Sequence, residues 1–373
     1  MNPSVTFTND ENDVLSFTLS GVNVSLANAI RRTILSDIPQ LVFKTSPYEE
    51  NKSTIIVNTS SLNNEIIKQR LSCIPIHITD ENFPYKNYLL EVNVENNTDT
   101  MLYVTTEDFK IKDLLTNNYL SEQQTRTIFP SNPYTGYFID FVRLRPRISN
   151  ELPGDKIHMT CEFQKGNAKE DGMFNVVSTC SYGFTVDDVK CDEILEKKKQ
   201  EWKNDGKTKE EISFEEKNWR LLEGMRIVKK DSYDFTIETV GVYTNNEILD
   251  NACTILISKL DKLDTIIEKD ELEINVSQNT MTNCYDIILE NDDYTIGKII
   301  EYLLLVKYYE TKILTFCGYK KMHPHDTSSI IRVAYKDAVE KSTIKGNLKE
   351  CVETAKQIYG KIKKEFLKLM KNK

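Results

Sequence analysis

The sequence predicts an α+β fold in which two copies of a strand–turn–helix unit pair within one chain as a pseudo-dimer. A strand-rich domain is inserted in the first copy. Three observations carry this. Residues 25–34, Ser-Leu-Ala-Asn-Ala-Ile-Arg-Arg-Thr-Ile, are echoed without a gap by residues 295–304, Thr-Ile-Gly-Lys-Ile-Ile-Glu-Tyr-Leu-Leu, 270 positions on. At the same displacement, Leu15, Phe17 and Leu19 alternate as a strand does, and so do Tyr285, Ile287 and Leu289. Each half then closes on a second helical stripe, at residues 249–267 and 348–369.

In chain order, a first strand is expected at residues 5–7, a better one at 14–19, and a helix from Leu26. The hydroxyls of Ser25 and Thr295 stand where an N-cap is wanted, an oxygen there accepting from a free first-turn N–H. Behind them come Leu26, Ala29, Ile30, Thr33 and Ile34, and in the second copy Ile296, Ile299, Ile300, Leu303 and Leu304. Both sets fall at i, i+3, i+4, i+7 and i+8, one apolar stripe per helix. Neither unit buries its stripe alone, so these residues are expected to form the interface about a pseudo-twofold axis. Ile38-Pro39 ends the first helix, because proline has no N–H and restricts the residue before it. Arg31 and Arg32 project about 100° apart, so at most one lies near the stripe. Spacing alone favours an ordinary solvated face over a patch that docks a partner's carboxylates.

Residues 46–186 read as the inserted domain. Runs of β type at 54–57, 89–94, 102–105 and 137–144 are separated by turn clusters such as Asn96-Asn97-Thr98-Asp99, with a short helix at 66–71. Residues 187–216 are dense in Lys and Glu and are expected as exposed helix or mobile loop, anchored by Trp202 and Trp219. A strand follows at 235–241, then a helix striped with Leu249, Ala252 or Cys253, Leu256, Leu260, Leu263 and Ile267. The first unit is therefore discontinuous, 1–45 plus 187–267, and 268–272 is a polar linker. The second unit, 273–373, opens on a strand at Ile274 and Val276. It ends on Leu348, Val352, Ala355, Tyr359, Ile362, Phe366 and Leu369, steps of four and three that approach a heptad seam. Its tail from Lys345 holds nine lysines against three glutamates, which marks a solvated helix end before it marks nucleic-acid contact.

Composition bounds the function. With 39% hydrophobic and 28% charged residues, 373 residues suffice for real cores in two or three domains. The net charge of −9 disfavours holding nucleic acid by its phosphates. Eight scattered cysteines without a CxxC pair suit a reducing compartment. The opening Met-Asn-Pro-Ser is not a basic-then-apolar leader, and no run of about 18 apolar residues could span a membrane. An intracellular protein is expected. Cys73 with His77, and His323 with His325, have metal-ligand spacing, but two ligands do not make a tetrahedral site. Residues 165–172 hold two glycines without a phosphate-loop or dinucleotide pattern, and no HExxH occurs. No catalytic residue, metal or cofactor is expected.

The segment Ala27-Asn28-Ala29-Ile30-Arg31-Arg32-Thr33-Ile34-Leu35-Ser36-Asp37-Ile38-Pro39 resembles the signature helix of the alpha-type subunits of multisubunit RNA polymerases. Arg70-Leu71-Ser72-Cys73-Ile74-Pro75-Ile76 is similar to that family's Arg-Leu-x-x-Ile-Pro-Leu segment. Lys165-Gly166-Asn167-Ala168-Lys169-Glu170 is similar to its Lys-Gly-x-Ala-Lys segment. The His-Ala-Lys that follows there is replaced here by Asp171-Gly172-Met173, and only the aromatic, Phe174, is kept. Residues 235–241 resemble the opening of the last strand of the large alpha-like subunit. Asp293-Tyr294-Thr295-Ile296-Gly297-Lys298, Gly318-Tyr319-Lys320 and His323-Pro324 resemble the small one.

The resemblance implies a large alpha-like subunit through about Ile267, fused to a small one from about Leu272. Some large DNA viruses with their own transcription machinery carry such a fusion, which would place the protein in a cytoplasmic viral factory or in the virion. The implied role is a non-catalytic assembly platform that nucleates association of the two largest polymerase subunits for transcription. Small assembly subunits are further implied partners; sequence-specific nucleic-acid binding, membrane contact and homo-oligomers are not. The resemblance also makes Arg31 and Arg32 docking residues for the second-largest subunit. Glu301 and Tyr302, their equivalents in the second copy, would face the largest. Many relatives hold zinc in a cysteine cluster after the Ile-Pro segment. Residues 80–87 carry no cysteine or histidine, so no zinc is expected. Two other readings stand beside this one. A free-standing enzyme has no catalytic constellation to support it. A DNA-binding or protein-interaction factor with a dimer-like fold is opposed by the net charge and supported by the basic tail.

Overall fold

A computed structural model describes residues 1–149 and 153–371, without the side chains of Phe7, Thr8, Leu369, Met370 and Lys371. The chain forms two compact units: residues 1–34, 179–238 and 249 onward make one, and residues 35–178 with 239–248 make the other.

The first unit opens with the antiparallel strands β1 (Ser4–Glu11) and β2 (Val14–Ser20), joined through Asn12 and Asp13 at positive φ. Leu15, Phe17 and Leu19 of β2 are buried, as period-two alternation requires when one face is covered. Helix α1 (Val24–Ser36) follows. In the second unit come β3 (Gln40–Val42), β4 (Ser53–Asn58), α2 (Asn64–Ser72), β5 (Tyr88–Glu95), β6 (Leu102–Thr105), β7 (Lys110–Asp113), α3 (Glu122–Ile128), β8 (Asp140–Leu144), β9 (Lys156–Glu162) and β10 (Gln164–Gly166). The first unit resumes along β11 (Val177–Val186), then α4 (Asp188–Asn204), α5 (Lys209–Leu221), β12 (Val228–Thr239) and α6 (Asn245–Glu268). It ends with β13 (Ile274–Val276), β14 (Cys284–Glu290), α7 (Tyr294–Leu304), β15 (Leu314–Lys320), β16 (Ser328–Tyr335) and α8 (Lys341–Lys371).

The second unit's main sheet is ordered β4-β9-β5-β7 over a core that includes Leu90, Phe141, Met159 and Phe163. Arg70 ties α2 to β8, Nε donating to the Phe141 carbonyl and Nη2 to the Asp140 carbonyl, both at 2.7 Å. This unit starts at Leu35 rather than at residue 46, because β3 already pairs with β10 (Val42 with Gln164). Most of β11, from Thr179 on, lies in the first unit rather than in the insert.

The first unit holds two sheets with one topology, β1-β2-β12-β11 and β13-β14-β16-β15. Strands β2 and β14 start at residues 14 and 284 and end at 20 and 290, keeping the 270-residue displacement at both ends. What distinguishes the first copy is insertion. The second unit enters between α1 and β11, and the hairpin α4–α5 enters between β11 and β12. That hairpin is two capped helices, with Thr208 and Glu211 forming a capping box and Cys191, Leu195 and Trp219 a small core that Trp202 joins.

Helices α6 and α8 run antiparallel. Lys363 meets Asp250 (3.0 Å), Lys356 meets Asp261 (3.1 Å) and Asp264 (2.9 Å), Lys349 meets Glu268 (2.5 Å), and Lys345 pairs with Asp270. The Asp264 carboxylate, first among three acids, raises the Lys356 pKa. Four lysines of the lysine-rich end thus form a ladder to acids of or just after α6. Half-exposed pairs of this kind contribute about 0–1 kcal/mol each, so the apolar seam dominates. Leu256, Leu260, Leu348, Val352, Tyr359 and Phe366 are buried, and burying each large side chain stabilises by about 1.5–3 kcal/mol. Leu369, the last seam position, lies outside the described side chains.

Candidate functional site

The two signature helices, α1 and α7, begin alike, but not at the hydroxyls. The cap of α7 is Asp293, whose Oδ1 accepts from the Thr295 N–H at 2.7 Å. In α1, Asn23 Oδ1 accepts from the Ser25 N–H at 2.9 Å. Ser25 and Thr295 lie two residues past the caps, and they supply the N–H groups that are capped. The residues two before each cap, Gly21 (φ +75°) and Asn291 (φ +59°), both take the left-handed turn. At Gly21 a Cβ would sit 2.2 Å from the Asn2 carbonyl oxygen, so glycine is required there.

Every stripe residue is buried: Leu26, Ala29, Ile30, Thr33 and Ile34 in α1, and Ile296, Ile299, Ile300, Leu303 and Leu304 in α7. Contacts between the two copies surround them. The Tyr359 hydroxyl of α8 donates to the Leu26 carbonyl of α1 at 3.2 Å, and Phe366 meets Phe17 edge-on at 5.8 Å.

The adjacent arginines separate, as their angular spacing requires. Arg32 turns to the second copy: Nε donates to Thr295 Oγ1 (3.0 Å) and Nη2 to Asp293 Oδ2 (2.9 Å). Burial opposes ionisation of Asp293, but the Thr295 hydroxyl and amide and the Arg32 charge outweigh it and hold the carboxyl down at about 2. Arg31 points elsewhere. Its Nε donates to Asn28 Oδ1 at 2.9 Å, and among the described residues no carboxylate pairs with it. Its charge reaches Cys180 of β11, whose thiol burial pushes up to about 12 against that charge.

Glu301 and Tyr302 are partly engaged inside their own copy. Glu301 Oε1 accepts from the Tyr319 N–H (3.1 Å), and Oε2 lies 2.5 Å from Lys298 Nζ. Burial raises the Tyr302 phenol, with the Asp231 and Glu310 charges adding to it. Sequence patterning missed Asn23 and Asp293 as caps and Tyr359 as a hydrogen-bond donor to the first copy. The repeated offset of Asn23 and Asp293, 270 positions, was the available signal for the caps.

Among the described residues, no cluster of three or more His, Cys, Asp or Glu is placed to hold a metal. Cys73 is exposed, and burial lowers the pKa of His77 against its hydrogen bond to the Gly241 backbone. None of the eight cysteines is bridged. No described helix is long and apolar enough to cross a membrane.

Residues 16–260 match the RNA polymerase Rpb3/Rpb11 dimerisation domain. The chain is 26% identical over 298 residues to subunit RPAC1 of DNA-directed RNA polymerases I and III of Homo sapiens, spanning 69% of this chain and 83% of that protein. It is 24% identical over 317 residues to subunit 3B of DNA-directed RNA polymerases IV and V of Arabidopsis thaliana, spanning 72% and 93%. It is also 24% identical over 282 residues to DNA-directed RNA polymerase subunit Rpo3 of Pyrococcus furiosus, spanning 69% and 94%.

Proposed function

The chain belongs to the RNA polymerase Rpb3/Rpb11 dimerisation family, and from that premise we propose that it is a non-catalytic assembly platform of a DNA-directed RNA polymerase. One observation carries the proposal. The sheet order of the family-matched first copy is repeated by the second copy within the same compact unit. This supports a large alpha-like subunit fused to a small one, so that one chain supplies what two chains would otherwise supply by dimerising. Fusion raises the effective concentration of the two halves to roughly millimolar for a short linker.

In this role the chain gathers the two largest subunits, with small assembly subunits at its margins, and makes no sequence-specific contact with DNA. Arg31 is the docking arginine toward the second-largest subunit. The face around Glu301 and Tyr302 serves the largest. A fused pair fits the transcription machinery of a large DNA virus, at work in a cytoplasmic factory or packaged in the virion. The role needs no cofactor and no zinc: metal analysis of the pure protein should find well under one zinc per chain, and a stoichiometric metal resisting mild chelation would contradict that. The DNA-binding reading loses support from α8, where Lys345, Lys349, Lys356 and Lys363 are paired with carboxylates of or just after α6.

The test is affinity purification of the tagged chain from its source cells. Two co-purifying polypeptides, each larger than this chain, are expected. Recovery of the chain with no large partner would refute the role.

A further inference from the structure

The first unit has four sheet edges, β1, β11, β13 and β15. An open edge presents unpaired amides and carbonyls to any passing strand, and proteins guard it with bulges, charge or brevity. β1 carries a register shift between Phe7 and Asn9 and ends on Asp10 and Glu11. β13 has three residues. β15 carries a shift between Leu314 and Phe316 and ends on Lys320. β11 is neither short nor charged. Its ten residues, Val-Ser-Thr-Cys-Ser-Tyr-Gly-Phe-Thr-Val, include no charge and no proline.

Beside that edge stand part-exposed aromatic side chains and, among the described residues, an arginine without a carboxylate. Tyr182 and Phe184 of β11 extend the aromatic row of β12: Tyr182 lies 5.3 Å from Phe235, and Phe184 lies 5.5 Å from Tyr233. Phe184 remains 53% exposed. A Cβ built on Gly183 would meet nothing within 4 Å. Arg31, which has no carboxylate among the described residues, acts on Cys180 of the same strand.

We propose that the outer edge of β11, over residues 179–186, receives an extended segment of a large polymerase subunit as an added strand, and that an acidic side chain of that segment meets Arg31. The inference rests on the assembly-platform reading and adds the mode of docking. Main-chain hydrogen bonds supply affinity in strand addition, and alternate side chains supply specificity. The entering strand therefore carries its acid near Cys180 and an apolar residue near Phe184, four positions along, because both belong to the helix-facing side. Charge complementarity selects an acidic segment over a second copy of β11, which is uncharged.

Amide hydrogen exchange read by mass spectrometry, on the free full-length chain and on the polymerase purified through it, tests this. Amides of residues 179–186 should exchange at least tenfold more slowly in the polymerase, while those of β1 exchange alike in both. Unchanged exchange of 179–186 in a preparation that contains the large subunits would overturn strand addition and leave the platform role standing. A preparation with no large subunit would overturn both.

Discussion

Arg32 Nη2 lies 2.9 Å from Asp293 Oδ2, so an arginine of the first repeat closes on the residue that caps the signature helix of the second. The carboxyl is held at about 2 in the fold, against about 3.9 when unfolded. A depressed carboxylate stabilises above its unfolded pKa, and that contribution is lost as pH falls toward the folded value. Discounted for solvent screening, it amounts to about 1–2 kcal/mol. Asp293→Asn keeps a capping oxygen, as Asn23 shows in the first copy, but removes the charge. The variant should be less stable than the parent at pH 7, and most of that deficit should be gone near pH 2. A stability deficit of the same size at both values would assign the effect to the cap and not to the ion pair.

The two arginines should behave differently. Arg32→Ala leaves a partly buried Asp293 without its cation and should lower the melting temperature. Arg31→Ala breaks no ion pair within the described residues, so the fold should keep its melting temperature. Its capture of the second-largest subunit should weaken at least tenfold, the scale for truncating one side of a buried charge pair. Normal capture by a well-folded Arg31→Ala protein would return this arginine to an ordinary solvated face.

Gly297 is required by its neighbour. A Cβ there would lie 2.0 Å from the Tyr319 ring, and overpacking of this kind destabilises by about 1–3 kcal/mol. Gly297→Ala should therefore lower the denaturation midpoint. Tyr319→Leu, made in the same chain, should recover part of the loss. Equal penalties with and without the ring would show that helix propensity or backbone, and not the ring, sets the cost.

The halves should survive separation of the linker. Fragments 1–269 and 270–373, co-expressed, are expected to co-purify at micromolar concentration. The α6–α8 seam and its lysine ladder do not depend on the peptide connection. Separate elution of two folded fragments would contradict the fused-pair reading.

Much of this architecture is legible in the sequence because burial imposes a period. Leu15, Phe17 and Leu19, and the ten stripe residues of α1 and α7, repeat at the offsets a covered strand and a covered helix demand. The caps were misplaced because Ser25 and Asn23 are both good caps, and only backbone geometry decides between them. The pairing of β12 with β2, Ser232 opposite Ser20, spans the whole insert and leaves no local trace. Neither does the Arg32–Asp293 pair. Lys349, Lys356 and Lys363 of α8 read as part of a solvated basic tail because their acids sit on another helix. The hairpin α4–α5 buries so little, chiefly Cys191, Leu195 and Trp219, that its sequence carries almost no stripe.

The proposed role is that this chain brings the two largest polymerase subunits together. Size-exclusion chromatography of those two recombinant subunits, with and without the chain, is the test. With the chain present, all three should elute as one complex, and without it the large subunits should elute apart. Large subunits that associate equally well in its absence, or that leave the chain unbound, would refute the platform role.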